Sequence, residues 1–331
     1  MGKFFLMLKI LGIGNALVDV MTLMEDDSLL GKFSLPKGSM QLVDKEKSDL
    51  IRRETAGLKT SLSSGGSAAN TIHGLAKLGV QTGYTGSVGR DDFGAYFTGD
   101  MQKEGVKTFL KHSETPTGNA VALISPDTER TFATYLGAAI ELRASDLKKE
   151  DFRGFDILYL EGYLLPDRLL IETACNFARE YNMKVALDLA SYNVVEANLQ
   201  VFKEVAGKYV DILFANELEA KAFTGKDPEE ALEILARLCE IAVVKVGSEG
   251  SWIRRGEEII RIGTEKLNVR DTTGAGDLYA TGFLYGYSSG RNLELCGQFG
   301  SLVAGNVIEI LGARMNEKRW DTIKKQIASI S

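Results

Sequence analysis

Histidine and cysteine are the scarcest chemistry-bearing residues in this 331-residue chain, at two and three copies. With only His73 and His112 there is little room for a histidine metal site or a Ser-His-Asp triad. Cys175, Cys239 and Cys296 stand far apart, form no Cys-x-x-Cys and lie in apolar helical patterns, which fits buried free thiols in a reducing compartment. Positive charge is in deficit. A net charge of −6 argues against non-specific nucleic-acid binding, though not against a small anion held locally. Long apolar runs are missing as well. The stretch 4–8 is cut off by Lys9, too short for a signal-peptide core or a membrane span, so a cytoplasmic protein with no membrane partner is expected. No Gly-Lys-Ser/Thr occurs, which removes the Walker-type phosphate loop. Gly12-Ile13-Gly14 begins a dinucleotide fingerprint, but the third glycine position is Leu17 and no helix clearly follows.

What is present fits one large α/β domain spanning 1–331: 44% hydrophobic and 25% charged residues, enough for a substantial core. Strand-like and helix-like stretches alternate. Strands are predicted near 9–14, 82–88, 157–161, 184–189, 210–214 and 241–246. Helices are predicted near 68–78, 91–104, 168–181, 194–205, 229–238 and 293–310. Hairpins are expected at 119–135 and 252–262. The strands at 157–160 and 241–244 are continuously apolar, as a parallel strand covered on both faces requires. The expected fold is therefore α/β: a doubly wound, mostly parallel sheet flanked by helices. Two segments, about 15–45 and 107–140, break the rhythm and are expected to pair as a small β-sheet lid over one edge.

The organising stretch is Asp271-Thr272-Thr273-Gly274-Ala275-Gly276-Asp277, running into an apolar helical pattern from Leu278. Glycines before a helix leave N–H groups free at its positive end, a ready anion site. A carboxylate beside that site is electrostatically misplaced unless it takes a proton from a hydroxyl while the amides hold a transferring phosphoryl group. The plainer alternative is a glycine turn with Asp277 as an ordinary first-turn acid. Asn15 and Asp19 follow the first strand, where open α/β sheets bind ligands, and suit polyol hydroxyls; local Asx caps would explain them equally. Gly65, Gly66 and Asn70 open a helix where backbone and ligand can approach closely, or where Ser67 simply caps it. Asn216 and Glu219 share a helix face and could hold the water shell of Mg²⁺, or form a capping box. Gly247 and Gly250 could let a nucleotide lie against the backbone, or merely turn a hairpin.

Taken in order, these stretches resemble the ribokinase-like (PfkB) carbohydrate kinase family. Gly65-Gly66-Ser67-Ala68-Ala69-Asn70 through Gly79 is similar to its first signature, and Asp271 to Asp277 through Leu284 to its second. The resemblance runs from Ile10 to about Arg314. Gly-Asn-x-Leu-x-Asp at 14–19 and the stretch 209–217 are most similar to the adenosine kinase branch. Asp188-Leu189-Ala190-Ser191-Tyr192 departs from the Asp-x-Asn-x-Arg of many sugar kinases.

The resemblance implies an ATP-dependent phosphotransferase acting on a hydroxymethyl group of a nucleoside or sugar, adenosine at its ribose 5′-hydroxyl foremost. A ribose- or fructose-type sugar kinase and a non-catalytic ligand-sensing relative are the alternatives. It implies Asp277 as base, with the Gly274, Ala275 and Gly276 amides on the γ-phosphoryl group. Asn15, Asp19, Gly65, Gly66 and Asn70 would hold the acceptor, and Leu17, Met40 and Phe132 would form an apolar slot for a base. Gly247, Gly250, Thr272, Thr273, Ser301 and Gly305 would contact ATP. Mg²⁺ would be organised through Asn216 and Glu219, and Asp271 would help to hold a monovalent cation such as K⁺. An aspartate at its ordinary pKa near ~3.9 suffices as base, because a loose transition state needs proton removal only late. A monomer or homodimer is expected.

Overall fold

Two sheets of very different environment organise the chain. The computed structural model describes residues 7–264 and 267–330, so most of the apolar stretch 4–8 lies outside the described residues. In chain order the strands are β1 (Ile10–Ile13), β2 (Leu17–Leu23), β3 (Met40–Leu42), β4 (Thr60–Gly65), β5 (Thr82–Gly89), β6 (Lys107–Ser113) and β7 (Thr117–Ile124). They continue as β8 (Arg130–Gly137), β9 (Ile157–Glu161), β10 (Lys184–Asp188), β11 (Ile212–Asn216), β12 (Ile241–Lys245), β13 (Ser251–Arg255) and β14 (Glu258–Ile262). The large sheet runs β14-β13-β12-β11-β10-β9-β1-β5-β6; the small one runs β3-β8-β7-β2-β4. All neighbours in the large sheet are parallel except the β12–β13 and β13–β14 pairs. This is the doubly wound α/β arrangement expected from the sequence.

Both faces of the large sheet are buried, and alternate residues of one strand serve opposite cores. Ile10, Tyr159, Ile212 and Val243 enter one cluster, while Leu11, Leu158, Leu213 and Val244 enter the other. That is why these strands look uniformly apolar in sequence. The β1 strand matters most for function. From it the chain winds one way to β5 and β6, then returns to place β9 on the other side. The crevice between the carboxyl ends of β1 and β9 is therefore the topological switch point, where such sheets bind ligands.

Three local expectations are corrected. The segment 107–140 does not stay together: β6 is the edge of the large sheet, and only β7 and β8 join the small one. The small sheet also gains β4, whose Thr-Ser-Leu-Ser-Ser-Gly is too polar to announce a strand. The helix expected at 194–205 is two, Tyr192–Ala197 and Leu199–Tyr209, because Asn198 adopts a non-helical conformation (φ −132°, ψ 26°) between them. Helices Lys45–Glu54 and Glu317–Ile330 were not anticipated. Among the described residues no helix is long and apolar enough to cross a membrane.

Candidate active site

The two signature stretches, more than two hundred residues apart, meet at one carboxylate. Helix Ala275–Ser288 begins after Gly274, which takes a left-handed conformation (φ 73°) that glycine adopts without strain. Asp277 lies in its first turn. Ser67 Oγ donates to Asp277 Oδ1 at 2.7 Å, and Asn70 Nδ2 donates to Oδ2 at 2.9 Å. Both donors come from helix Ser67–Lys77, whose entry at Gly66 has φ 102°. A side chain at Gly66 would overlap the Asn15 carbonyl, so this glycine sets how closely the first signature approaches β1. Thr71 and Thr281 hydroxyls both donate to the Asp277 carbonyl, tying the two helices together.

Burial pushes Asp277 up to about 6, partly offset by the Asn70 and Ser67 hydrogen bonds. The ordinary carboxylate pKa expected from the sequence is thus corrected by desolvation. A base must be ionised to act, so activity is present above the raised pKa and is lost as pH falls through it. The acid limb of kcat/KM is expected near pH 6 rather than near ~4. A rate profile still flat at pH 5 would exclude Asp277 as the titrating group.

The anion turn is only partly as expected. The Ala275 N–H, read as a phosphoryl donor, instead closes a turn onto the Thr272 carbonyl at 3.1 Å. Among the described residues the N–H groups of Gly276 and Asp277 meet no acceptor, as the first helical turn leaves them. Lys245, at the carboxyl end of β12, stands so close to Gly276 that an added Cβ would lie 3.1 Å from its ammonium. The Lys245 ammonium also pairs with Asp188 Oδ2 at 2.9 Å.

Asp271 departs from its expected role. Its carboxylate accepts from the Thr273 N–H at 2.5 Å and the Gly312 N–H at 2.6 Å, and pairs with the Arg130 guanidinium reaching over from β8. Arg130 also donates to Thr273 Oγ1 at 2.8 Å. With its oxygens so engaged, Asp271 does not fit a monovalent cation; Arg130 supplies the positive charge instead. Asn216 and Glu219 form the capping box. Glu219 accepts from the Asn216 N–H and Nδ2, each at 2.8 Å, and is 3% exposed. Among the described residues no group of three or more His, Cys, Asp or Glu side chains could hold a bare metal ion. The pair fits Mg²⁺ only through its water shell, the usual state of a nucleotide-bound ion.

Of the residues expected to hold the acceptor, Asn15 and Gly66 line the cavity at the switch point, whereas Asp19, Gly65 and Asn70 do not. Asn15 follows β1 and is buried; half-buried Asp19 projects from β2 against Gly65, where a Cβ would overlap its carboxylate. Burial pushes Asp19 up to about 6 against the opposing charge of Arg314. Arg314 donates to Ser64 Oγ at 2.6 Å, and Ser64 Oγ in turn donates to Asp100 at 2.5 Å. Beside Asn15 opens a cavity of about 680 Å³, lined mainly by apolar side chains such as Leu17, Met40, Ala139, Ile140, Leu142 and Leu164. Leu17 and Met40 were expected there; Phe132 does not line it. A second cavity, of about 390 Å³, is bordered by Ser301 and Gly305 from helix Leu293–Val307, two of the residues read from the sequence as ATP contacts. Gly247 and Gly250 do not line it, but their turn is tied to its rim by Thr264 Oγ1, which donates to the Ser248 carbonyl at 2.5 Å.

Five site residues were not found from the sequence: Glu161, Asp188, Lys245, Arg130 and Arg314. The first three each end an apolar strand, so a polar residue closing a buried run was the available signal. Arg314 gave none, since only tertiary folding brings it to Asp19.

Comparison with known proteins agrees with this geometry. The model of the pfkB family carbohydrate kinases matches residues 39–319. The crystal structure of an adenosine kinase from Sinorhizobium meliloti superposes with a TM-score of 0.86 at 37% identity, covering 97% of this chain and 100% of that one. A probable sugar kinase from Rhizobium etli gives 0.86 at 34% identity, covering 96% and 98%. An uncharacterized sugar kinase from Archaeoglobus fulgidus is 31% identical over 73% of this chain and 96% of its own.

Proposed function

The chain belongs to the pfkB family of carbohydrate kinases, and within it we propose an ATP-dependent nucleoside kinase that phosphorylates the ribose 5′-hydroxyl of adenosine. The observation that carries this reading is the cavity beside Asn15. One polar end holds Asn15, Gly66 and Ser67; the walls beyond it are mainly apolar, with Thr134, Arg143, Asp167, Ser191, Asn193 and Asn198 among them, and at about 680 Å³ the cavity is roomier than a free pentose needs. A ribose at the polar end would leave its base in the apolar part. The likeness to the Sinorhizobium adenosine kinase supports the same assignment. A free-sugar kinase is the second reading, favoured by the likeness to the two sugar kinases.

In the proposed reaction the 5′-oxygen attacks the γ-phosphorus of ATP, the bond to the β-phosphate oxygen breaks, and ADP leaves. Asp277, oriented by Ser67 and Asn70, takes the hydroxyl proton as the new bond forms. The Gly274 and Gly276 amides, the helix N-terminus and Arg130 meet the charge on the transferring group. Lys245 adds a positive charge below the turn. Mg²⁺ carried by the nucleotide would be held through water by Asn216 and Glu219 and supplies charge to the phosphates.

The test is a panel of adenosine, 2′-deoxyadenosine, inosine, ribose and fructose under ATP and Mg²⁺. Adenosine is expected to lead, with the deoxy analogue rejected because it leaves a buried acceptor unpaired. Preference for a free sugar promotes the second reading, and no ATP consumption with any acceptor leaves a ligand sensor. We also propose that the whole chain works as one kinase domain in which the small sheet moves as a lid. Hydrogen exchange should then show protection gained on acceptor binding in β2, β3, β4, β7 and β8 but not in β6. Equal protection in β6 would tell against a lid confined to the small sheet.

A further inference from the structure

We propose that Glu161 is a positioning residue that locks the Asn15 side-chain amide with its oxygen toward the acceptor, so that this point of the site admits only a hydrogen-bond donor. The proposal rests on the reading of the Asn15 cavity as the acceptor site. Glu161 is the last residue of β9 and fully buried, directly across the switch point from Asn15. One of its oxygens accepts from both the Asn15 N–H and Asn15 Nδ2, each at 2.8 Å; the other accepts from the Ala68 N–H at 2.8 Å. No Lys or Arg among the described residues pairs with it.

An amide side chain has two nearly isosteric orientations, and only its partners decide between them. A carboxylate accepts hydrogen bonds, so it can face only the Nδ2 side; turning the amide over would set two oxygens against each other. Asn15 Oδ1 is therefore fixed on the opposite side. It is buried and has no protein partner, which is costly unless a ligand supplies a donor. Asn70 repeats the device. Its Nδ2 is held by Asp277, and its Oδ1 is likewise buried and unpartnered. Two buried amide oxygens, each set opposite a carboxylate, thus lack a donor in the protein.

The glycines left over from the failed dinucleotide pattern fit this device. A Cβ at Gly14 would overlap Glu161 Oε2, so this glycine makes room for the carboxylate. Gly12 does the same for Ile72, whose helix carries Asn70. Without a cationic partner, burial pushes Glu161 up to about 7, so the lock holds in full only above that pH, and below it the protonated acid can donate to Oδ1 and let the amide turn. A carboxylate kept there at such a cost, where Met or Leu would pack, points to a task beyond packing.

The experiment compares Glu161→Met, which keeps the volume, Glu161→Ala, Asn15→Ala and the Glu161→Met/Asn15→Ala double variant. Each is assayed with the acceptor the parent turns over and with that acceptor's monodeoxy analogues. Glu161→Met is expected to raise the acceptor KM by roughly 10- to 100-fold, the range of one buried hydrogen bond left unmade. The KM for ATP should stay within a few-fold. Discrimination against the analogue lacking the hydroxyl read by Asn15 should collapse, while discrimination at the other hydroxyls remains. The double variant should be no worse than Asn15→Ala alone, because Glu161 acts through that amide. An unchanged discrimination profile, or losses that multiply in the double variant, overturns the proposal. If Glu161→Met does not fold, Glu161→Ala with the same analogues decides; if neither folds, Glu161 is structural and the proposal falls. A parent that prefers a sugar defeats the nucleoside reading but leaves this test intact with monodeoxy sugars.

Discussion

Asp277→Asn is expected to fold like the parent and to bind nucleotide and acceptor, yet to turn over on the order of 10²–10⁴ times more slowly. The substitution keeps the shape and preserves an acceptor oxygen for Ser67, which donates to one carboxylate oxygen in the parent. What it removes is the capacity to take a proton. Because Asn70 donates to the other oxygen, the new amide nitrogen must face either a donor or the acceptor hydroxyl, and neither arrangement restores a base. The loss should fall on kcat rather than on the KM for ATP. Turnover within a few-fold of the parent would remove Asp277 from the mechanism, whatever the fold.

Arg130→Gln should cost about 10²–10³ in kcat, somewhat below the range for an arginine delivered to a phosphoryl group in other enzymes. Arg130 comes from the small sheet, yet its guanidinium reaches the anion turn of the other signature, where it meets Asp271 and Thr273. Its Nε is buried without a partner, so a donor remains to be used. In this position it couples the small sheet to the turn and supplies charge where the transferring group would pass. Arg130→Lys should restore little, because the shorter ammonium keeps the charge but not the planar group whose Nη1 meets both Asp271 and Thr273 and whose Nε remains a free donor. Parental kcat in the glutamine variant would show that Arg130 only braces the turn.

The large sheet was legible because burial on both faces leaves continuous apolar strands, as at 157–160 and 241–244. The small sheet was harder. Its strands β3 and β4 are short or polar, with Met40, Leu42 and Leu62 exposed, so neither periodicity nor propensity marks them. In the site, residues standing in glycine-rich turns, such as Gly66, Asn70 and Asp277, were legible because glycine advertises a special backbone. Glu161 and Lys245 were not, because a single polar residue ending an apolar strand looks like the strand's natural stop. Asp271 was misread for another reason. Its partner Arg130 lies 141 residues away, and no local pattern reveals which cation will reach a carboxylate first.

The meeting of Ser67 and Asn70 with Asp277 has a consequence for biosynthesis. The groups that would receive the acceptor emerge from the ribosome early, between Asn15 and Asn70, whereas the base follows 207 residues after Asn70. A nascent chain thus carries the residues of β1, β2, β4 and the first signature helix long before Asp277 is made. Until helix Ala275–Ser288 has emerged and packed onto helix Ser67–Lys77, Asn70 lacks the carboxylate that fixes its amide. A chain clipped before helix Ala275–Ser288 is therefore expected to lack turnover, because Asp277 is missing beside Ser67 and Asn70.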